Sequence, residues 1–446
     1  MIIKKNSVDN SVISKSDSAD IIEKGNKKRS LIISERLLVV LFCLVAFLIA
    51  LVPELVLPLK YLVIPVVLIL LLRFDSFNYL LFPLTFLDNM IGTYISSRFT
   101  LIWFYLLFLC FKLFILERRT VLSKDQIVLL MGVVLYFFGV ALPVYGMNSI
   151  KMLLIVFCSS ILSQDWYKKP EQLKKLQFVV IASALVSALS LAFGLAGTMD
   201  DAEMRAIGIG FKDPNYSSLV CCLGLCSSMN YKSSKYKWLR IVITILFIFG
   251  VFRSGSRTGL IVTAAILIIE LLSTHGIKKK LKGIVLAVAI VLFFLFFILP
   301  RFSTILSPLI LRLVITWNSF SRGDLISATA DRTTIAESYL NYYKRQDIIK
   351  QLFGGNIIAS PDLLTAVGCS SVTHNVYLDY LMAFGAIGGL IMLGFFIFRT
   401  IQYFVKYEVT DILEYKAVFL MKISTLMFGI TLALLQVPLW WYVCLI

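Results

Sequence analysis

A histidine stands where a polar segment meets an apolar one, in "SSVTHNVYLDYLMAFGAIGGL" at residues 370–390. His374 directly precedes the apolar run, and the other histidine of the chain, His275, lies among lysines in "STHGIKKKLK". An imidazole has an unperturbed pKa of about 6.5, so it can accept a proton from an attacking hydroxyl near neutral pH. His374 is therefore the candidate general base. A capping or packing role at the start of a helix is the plain alternative.

Residues that could hold an anion lie in three further segments. They are Arg205, Asp213 and Asn215 in "EMRAIGIGFKDPNYSS", Arg253 and Arg257 in "VFRSGSRTGL", and Arg332 in "ATADRTTIAE". The composition of "RSGSR" predicts a tight turn, whose N–H groups and guanidinium forks can bind phosphate. The alternative for each arginine is that its side chain extends from a helix end to lipid headgroups.

Other polar residues near these groups have expected supporting roles. Asp213, followed by Pro214 and Asn215, predicts a helix N-terminus with proline in its first turn, so Asp213 is expected to be a cap rather than a catalytic acid. Asn375 follows the histidine, and Tyr377 lies one helical turn beyond it on the same face. Asp379 is costly to bury alone in a membrane helix, and an ion pair with Lys151 is the predicted solution.

The composition indicates what kind of protein must position these residues. Of 446 residues, 59% are hydrophobic and 15% charged, and the mean hydropathy is +0.88. A soluble globular protein is far more polar than this, so the chain is predicted to be an integral membrane protein. The apolar runs do not alternate with polar residues, which predicts helices rather than a barrel. The predicted fold class is all-α, a polytopic helix bundle.

Apolar runs of membrane-spanning length recur along the whole chain and predict about 12–14 transmembrane helices. The spans are expected near residues 37–53, 57–72, 77–92, 99–116, 126–144, 149–164, 177–197, 214–230, 238–252, 258–273, 283–300, 375–398 and 416–436. The predicted organisation is a disordered cytoplasmic tail at 1–36, eleven helices within 37–300, an extracytoplasmic loop at 301–374, and the remaining helices within 375–446. Trp440 and Trp441 are expected at the membrane interface.

The distribution of Lys and Arg predicts the orientation. With the N-terminus in the cytoplasm, inner flanks carry many more of these residues than outer flanks, as the positive-inside rule requires. This arrangement accounts for most of the net charge of +17, so no nucleic-acid partner is implied. His374 and the arginine segments then face outward from a cytoplasmic membrane.

The segment 301–374 is too long to be a simple connection and predicts a helix of its own. "TIAE" at Thr334 to Glu337 is a capping-box pattern, and a double glycine at 354 and 355 predicts the end of the helix. Apolar residues recur between them at helical spacing, namely Ile335, Tyr339, Tyr342, Ile349 and Phe353. Such a stripe favours a lid on the membrane surface or on the helix bundle.

Motifs for several common chemistries do not occur in the sequence. There is no Walker A, GxGxxG, HExxH or paired CxxC pattern, which argues against ATP-driven, dinucleotide-dependent and metalloprotease functions. The eight cysteines lie almost entirely in apolar runs with no His or carboxylate at metal-ligand spacing, so they are expected to pack rather than bind metal.

Three segments in order, "GFKDPNYSS", "FRSGSRTGL" and "HNVYLDYLMAFGAIGGL", together resemble the bacterial O-antigen polymerase and ligase family of membrane glycosyltransferases. The resemblance covers roughly residues 200–400 at the level of motifs, including the long segment between the second and third. It implies transfer of a glycan from undecaprenyl diphosphate on the outer face of the cytoplasmic membrane, with no metal and no other cofactor. Implied partners are the lipid bilayer, a chain-length regulator and a flippase.

The resemblance also implies roles for individual residues. The family's diphosphate-binding arginines correspond to Arg205, Arg253, Arg257 and Arg332, and its histidine at the loop-to-helix junction corresponds to His374. The function expected first is polymerisation of surface-polysaccharide repeat units, either O-antigen or capsule. Ligation of the finished polymer to a lipid core or protein is the close alternative, because the two reactions differ only in acceptor. A transporter or flippase of lipid-linked sugars is the alternative from a different class.

Overall fold

The computed structural model describes a large part of the chain. The described residues are 35–45, 48, 56–80, 101–117, 124–164, 167–194, 198–199, 205–208, 213–232, 237–273, 303–324, 331–358, 360–369, 371–435 and 437–446. The predicted eleventh span at 283–300, most of the third and most of the N-terminal tail lie outside them. Within them the fold is all-α, as the sequence predicts, apart from one very short pair of strands.

The described residues include sixteen α-helices with defined bounds. In chain order they are α1 (Val56–Arg73), α2 (Leu101–Phe111), α3 (Lys124–Val134), α4 (Leu142–Tyr145), α5 (Met147–Leu162), α6 (Pro170–Ala192), α7 (Pro214–Met229), α8 (Lys237–Ser254), α9 (Arg257–Leu272), α10 (Ser303–Ser321), α11 (Arg332–Arg345), α12 (Ile348–Phe353), α13 (Pro361–Val367), α14 (Val376–Thr410), α15 (Leu413–Gly429) and α16 (Pro438–Leu445). Residues 35–45 are also helical. π-Helical turns extend α2 over Lys112–Leu116 and α3 over Leu135–Ala141. Strands β1 (Thr198–Met199) and β2 (Arg205–Ala206) pair antiparallel before α7.

Helix α7 lies at the centre of the packing, in contact with α6, α8, α9 and α15. It is rich in serine and cysteine, and almost all of its residues are buried. Small side chains allow neighbouring helices to approach closely, as at Gly259 of α9, where an added Cβ would lie 1.8 Å from Ser218 Oγ. The predicted bounds of α7, α8 and α9 agree closely with the structure.

Two predictions about the C-terminal part are wrong. Trp440 and Trp441 are fully buried rather than interfacial, because α16 packs back against α5, α14 and α15. The Trp440 indole donates a hydrogen bond to the Tyr380 hydroxyl of α14, and Trp441 Nε1 donates to the Leu435 carbonyl at 2.8 Å. The tail is thus part of the core, and α15 ends at Gly429, earlier than predicted.

The predicted capping box of the long segment is also wrong. Helix α11 begins at Arg332, and the N-cap residue before it is Asp331, which has a left-handed conformation (φ 61°). Thr334 therefore lies inside the helix. The stop at the double glycine is confirmed, because α12 ends at Gly354 with φ 76°. The predicted single stripe is divided between two helices: Tyr339 is buried, while Ile349 and Phe353 are exposed.

Helix α14 is broken at Gly385, which has φ 68° and ψ −175°. The chain after α12 is hydrogen-bonded to the break, with Gly355 N donating to the Ala383 carbonyl at 3.0 Å and Asn356 N to the Met382 carbonyl at 3.2 Å. These bonds satisfy carbonyl groups that lose their helical partners at the break. The segment containing α11 and α12 is therefore fixed to α14 through backbone contacts.

Two of the described helices, α6 and α14, are long and apolar enough to cross a membrane by length and composition. Mean hydropathy over their best windows is 1.8 for α6 and 2.3 for α14. Most of α6 is buried, whereas α14 exposes an apolar face.

Candidate functional site

The site is built on the turn that precedes α14. His374 has a left-handed backbone conformation with φ 48°, which is unfavourable for a residue with a Cβ and often marks a functional position. Its Nε2 lies 3.1 Å from Ser371 Oγ, and among the described residues its Nδ1 has no hydrogen-bond partner. The half-buried imidazole thus keeps one ring nitrogen available for another group.

Asn375 and Thr373, on either side of the histidine, fix this turn. The Asn375 side chain caps α14 by accepting hydrogen bonds from the N–H groups of Tyr377 and Leu378, at 2.9 and 3.3 Å. The Thr373 hydroxyl donates to Asp379 Oδ1 at 2.6 Å. The local sequence therefore holds His374 in its unfavourable conformation through a cap on one side and a carboxylate on the other.

Asp379 is fully buried and does not form the predicted ion pair with Lys151. Its hydrogen-bonded partner is Thr373, and its Oδ2 has no hydrogen-bond partner among the described residues. Thr373 also receives the Asn375 N–H at 3.2 Å. Asp379 is consequently a positioning residue for the turn that carries His374.

We expect Asp379→Asn to retain most activity and Asp379→Leu to lose it. The asparagine keeps an oxygen that can accept from Thr373, whereas leucine leaves the buried Thr373 hydroxyl without that partner, at a cost of about 1–3 kcal/mol. The measurement is activity at matched amounts of folded protein. Thr373→Ser should resemble wild type and Thr373→Val should resemble Asp379→Leu. If both leucine and valine variants are fully active, Asp379 does not position the turn.

Two charged residues from distant parts of the chain lie near the imidazole. Burial, and then the Arg332 guanidinium, lower the pKa of His374 below its ordinary value of 6.5, while Asp213 partly opposes the shift. Arg332 opens α11, and α11 is linked to the same turn by the Tyr339 hydroxyl, which donates to the Ser371 carbonyl at 3.4 Å. The structure thus brings together an imidazole whose protonated form is disfavoured, a guanidinium and a carboxylate.

The lowered pKa of His374 predicts the pH dependence of any reaction in which it is the base. The protonated form is disfavoured in the folded protein, so the neutral form persists to lower pH than in a free histidine. The acid limb of kcat/KM should therefore lie below pH 6.5. Arg332→Gln removes a neighbouring positive charge and should move this limb to higher pH. An acid limb above pH 6.5 in the wild-type protein would contradict the role of His374 as the base with a lowered pKa. An acid limb that does not move in Arg332→Gln would contradict the effect of the Arg332 charge on that pKa.

The segment containing Asp213 forms the start of α7. Asp213 caps the helix by accepting from the Asn215 N–H at 2.6 Å, with Pro214 in the first turn, as predicted. Asn215 Oδ1 in turn accepts from the Ser256 hydroxyl at 2.7 Å. Because Ser256 belongs to "RSGSR", this bond joins two of the three segments singled out in the sequence. The negative charge of Asp213 also acts on the His374 imidazole, where it opposes the lowering of the pKa.

The "RSGSR" segment forms the predicted tight turn. Helix α8 ends at Ser254, Gly255 adopts φ 63°, and Ser256 caps α9 by accepting from the Gly259 N–H at 3.1 Å. Arg253 lies in the last turn of α8, and Arg257 is the first residue of α9. The two cations therefore flank the turn that contacts Asn215.

Three further predicted site residues, Arg257, Tyr377 and Arg205, have contacts elsewhere in the fold. The Arg257 Nη1 donates to Thr316 Oγ1 of α10 at 2.7 Å. Tyr377 points into the bundle, where its hydroxyl donates to the Leu426 carbonyl of α15 at 2.5 Å, so it packs away from the imidazole. The backbone of Arg205 belongs to β2, where it pairs with Met199, and its side chain is outside the described part of the structure.

Sequence reasoning did not identify Ser371, Thr373 and Tyr339 as parts of the site. The polar run "SSVTHN" marks a turn, but no spacing rule pairs Thr373 with Asp379 across it. Among the described residues no group of three or more His, Cys, Asp or Glu could hold a metal ion. The chain matches no protein-family model, and no curated protein matches its sequence.

Proposed function

We propose that the chain is an integral membrane glycosyltransferase that polymerises lipid-linked repeat units of a surface polysaccharide. The observation that carries the proposal is the convergence of three distant segments: the charges of Arg332 and Asp213 both act on the His374 imidazole, Tyr339 of the Arg332 helix is hydrogen-bonded to Ser371, and Asn215 is hydrogen-bonded to Ser256. A base, a guanidinium and an anion-binding turn are the groups that transfer from a lipid diphosphate requires.

In the proposed reaction, an acceptor sugar hydroxyl attacks the anomeric carbon of a glycan carried on undecaprenyl diphosphate. The new bond joins the acceptor oxygen to that carbon, and the bond from the carbon to the diphosphate oxygen breaks. His374 takes the hydroxyl proton, and undecaprenyl diphosphate leaves with the bonding electron pair. Arg332, and the Arg253–Arg257 turn, stabilise the negative charge that develops on the leaving group.

The proposed setting is the outer face of a cytoplasmic membrane, with many helices crossing the bilayer and the N-terminus in the cytoplasm. The apolar helices α6 and α14 and the excess of inner Lys and Arg support this arrangement. The reaction needs no metal and no nucleotide sugar. A chain-length regulator and a flippase are the proposed protein partners.

We expect Arg253→Lys and Arg257→Lys each to lower kcat/KM about tenfold or more, because lysine lacks the bidentate fork that matches phosphate. A lysine would still satisfy a helix C-terminus or reach a headgroup, so the substitution separates the two roles. The matched control is Arg240→Lys at the other end of α8, where the guanidinium donates to the Tyr231 carbonyl. If both site variants transfer glycan as fast as wild type, the arginines do not clamp the diphosphate.

The cellular product separates polymerisation from ligation. Deletion of the gene should leave surface glycans with single repeat units and no long chains. Accumulation of long polymer on the lipid carrier would instead assign the chain as the ligase. Complementation with wild type and with His374→Asn should show that the catalytic residue, and not the presence of the protein, restores chain length.

A further inference from the structure

Helix α12, in the segment predicted to lie outside the membrane, exposes its apolar side. Ile348, Ile349 and Phe353 are 65%, 69% and 63% exposed. Ile349 and Phe353 are four residues apart and so share one face of the helix. Three large apolar side chains on six residues are more than an isolated surface hydrophobe and indicate a covered surface.

The orientation of this face is fixed by the structure around it. The Tyr343 hydroxyl of α11 donates to the Gln351 carbonyl at 2.6 Å, and Gln351 Nε2 donates to the Gln346 carbonyl at 2.8 Å. On the other side, Gly354 and Gly385 bring the backbones of α12 and α14 into direct contact. The exposed apolar side chains therefore belong to a rigid corner that is joined to α14.

Helix α14, to which α12 is joined, also exposes apolar residues. Beyond the break at Gly385, Ile387, Leu390 and Ile391 are exposed, the second of them by 69%. These three residues recur at helical spacing, and α14 is a candidate membrane span. Since the backbone of α12 contacts α14 at Gly385, the exposed apolar residues of α12 belong to a segment joined to α14 at the point where the unbroken part of that helix begins.

Cationic side chains accompany the apolar ones. Lys344 and Arg345 are exposed in the last turn of α11, and Lys350 is exposed on α12. Between residues 344 and 353 the exposed carboxylate is that of Asp347, whereas Asp331 and Glu337 are exposed nearer the start of α11. Apolar residues beside an excess of lysine and arginine are typical of segments that insert into the headgroup boundary of an anionic bilayer.

We propose that α12 is a membrane anchor, seated in the outer interface of the bilayer with Ile348, Ile349 and Phe353 in contact with lipid and with the basic residues at anionic headgroups. This inference rests on the proposed function, because it requires the part of α14 that follows the break at Gly385 to cross the membrane, so that the span begins at the break rather than at the predicted residue 375. It gives the segment 331–358 a second role, which is to hold Arg332 and the His374 turn at the level of a lipid-linked substrate.

The test measures the surroundings of α12 in vesicles of equal parts phosphatidylcholine and phosphatidylglycerol. An environment-sensitive fluorophore is attached through Ile349→Cys, in a background where the half-buried Cys110 and Cys369 are replaced by alanine. Leu390→Cys on α14 is the membrane control, and Glu337→Cys, exposed on α11, is the water control. Each probe is challenged with doxyl-labelled lipid and with aqueous iodide.

We expect the extent of quenching by doxyl lipid at the Ile349 probe to be within about a factor of two of that at the Leu390 probe. Iodide should quench mainly the Glu337 probe. If lipid quenches the Leu390 probe but the Ile349 probe responds like the Glu337 probe, α12 is not a membrane anchor, while the assignment of α14 as a membrane helix is retained. If neither quencher reaches Ile349, a protein surface covers α12 and the anchor is again overturned. If Leu390 responds to iodide alone, both the anchor and the membrane assignment of α14 fail.

A second measurement tests the role of the headgroups. Lipid quenching at Ile349 should fall about twofold in pure phosphatidylcholine, because the attraction of basic residues to anionic lipid is lost. The Lys344→Ala and Lys350→Ala double variant should show the lower value in both vesicle types. Equal quenching of the unmodified basic segment in both lipids would overturn the headgroup contact.

Discussion

Replacement of His374 by asparagine should abolish most transfer while leaving the protein folded and its lipid-linked donor bound. Asparagine tolerates the left-handed conformation recorded at this position, with φ 48°, and can still hydrogen-bond to Ser371. It cannot accept a proton near neutral pH, and loss of a general base typically costs about 10²–10⁴-fold in rate. The measurement is glycan transfer at matched amounts of folded protein.

Two comparisons make this result specific. His374→Ala should lose transfer to a similar extent and also lose some stability, since alanine is unfavourable at positive φ. His275→Ala removes the other histidine, which lies on the predicted cytoplasmic side, and should have no effect on transfer. Near-normal glycan length with His374→Asn would show that the imidazole is not the base.

Gly385→Ala should disrupt the folded state strongly, because this position excludes a Cβ. An added Cβ would lie 2.4 Å from the Leu352 carbonyl carbon and from Phe353 N, and the backbone conformation there is one that only glycine adopts readily. We expect a loss of about 3 kcal/mol or more. The measurement is the thermal midpoint for loss of monodisperse protein in detergent.

The same substitution should lower activity in the protein that remains folded. Separation of α12 from α14 releases the segment that carries Arg332, so the lowered pKa of His374 should return toward its ordinary value. The matched control is Gly394→Ala in the same helix, where an added Cβ meets nothing within 4 Å and alanine favours the helix. If the Gly385→Ala protein is as stable and as active as the Gly394→Ala protein, the break in α14 is not required for folding or for activity.

The features that sequence reasoning identified are those with local signals. The bounds of α7 and α9 follow from apolar runs at 214–230 and 258–273. Asp213 caps α7 as predicted, and the structure adds Ser256 as the cap of α9. The tight turn at Gly255 follows from its glycine and serines in the same way. A cap or a turn is decided within a few residues, so a single sequence contains the information.

The features that sequence reasoning missed depend on contacts between distant residues. In the sequence, Gly385 does not differ from other glycines in apolar runs. The helix break there becomes evident only from the close packing of the backbone around Gly354 against it. Trp440 and Trp441 are typical of an interface by composition, yet α16 folds back and buries them. Asp213, Arg332 and His374 likewise come from distant parts of the chain, so their electrostatic interaction depends on the tertiary fold. Their residue types alone suggested a shared site.

The most direct test of the central claim uses the purified protein in vesicles with a repeat unit linked to undecaprenyl diphosphate. Nucleotide sugars are omitted and a metal chelator is present. We expect a ladder of lengthened glycans together with release of undecaprenyl diphosphate, and neither product with His374→Asn. Movement of the lipid-linked glycan across the bilayer without any lengthening would contradict the account and assign the chain as a transporter.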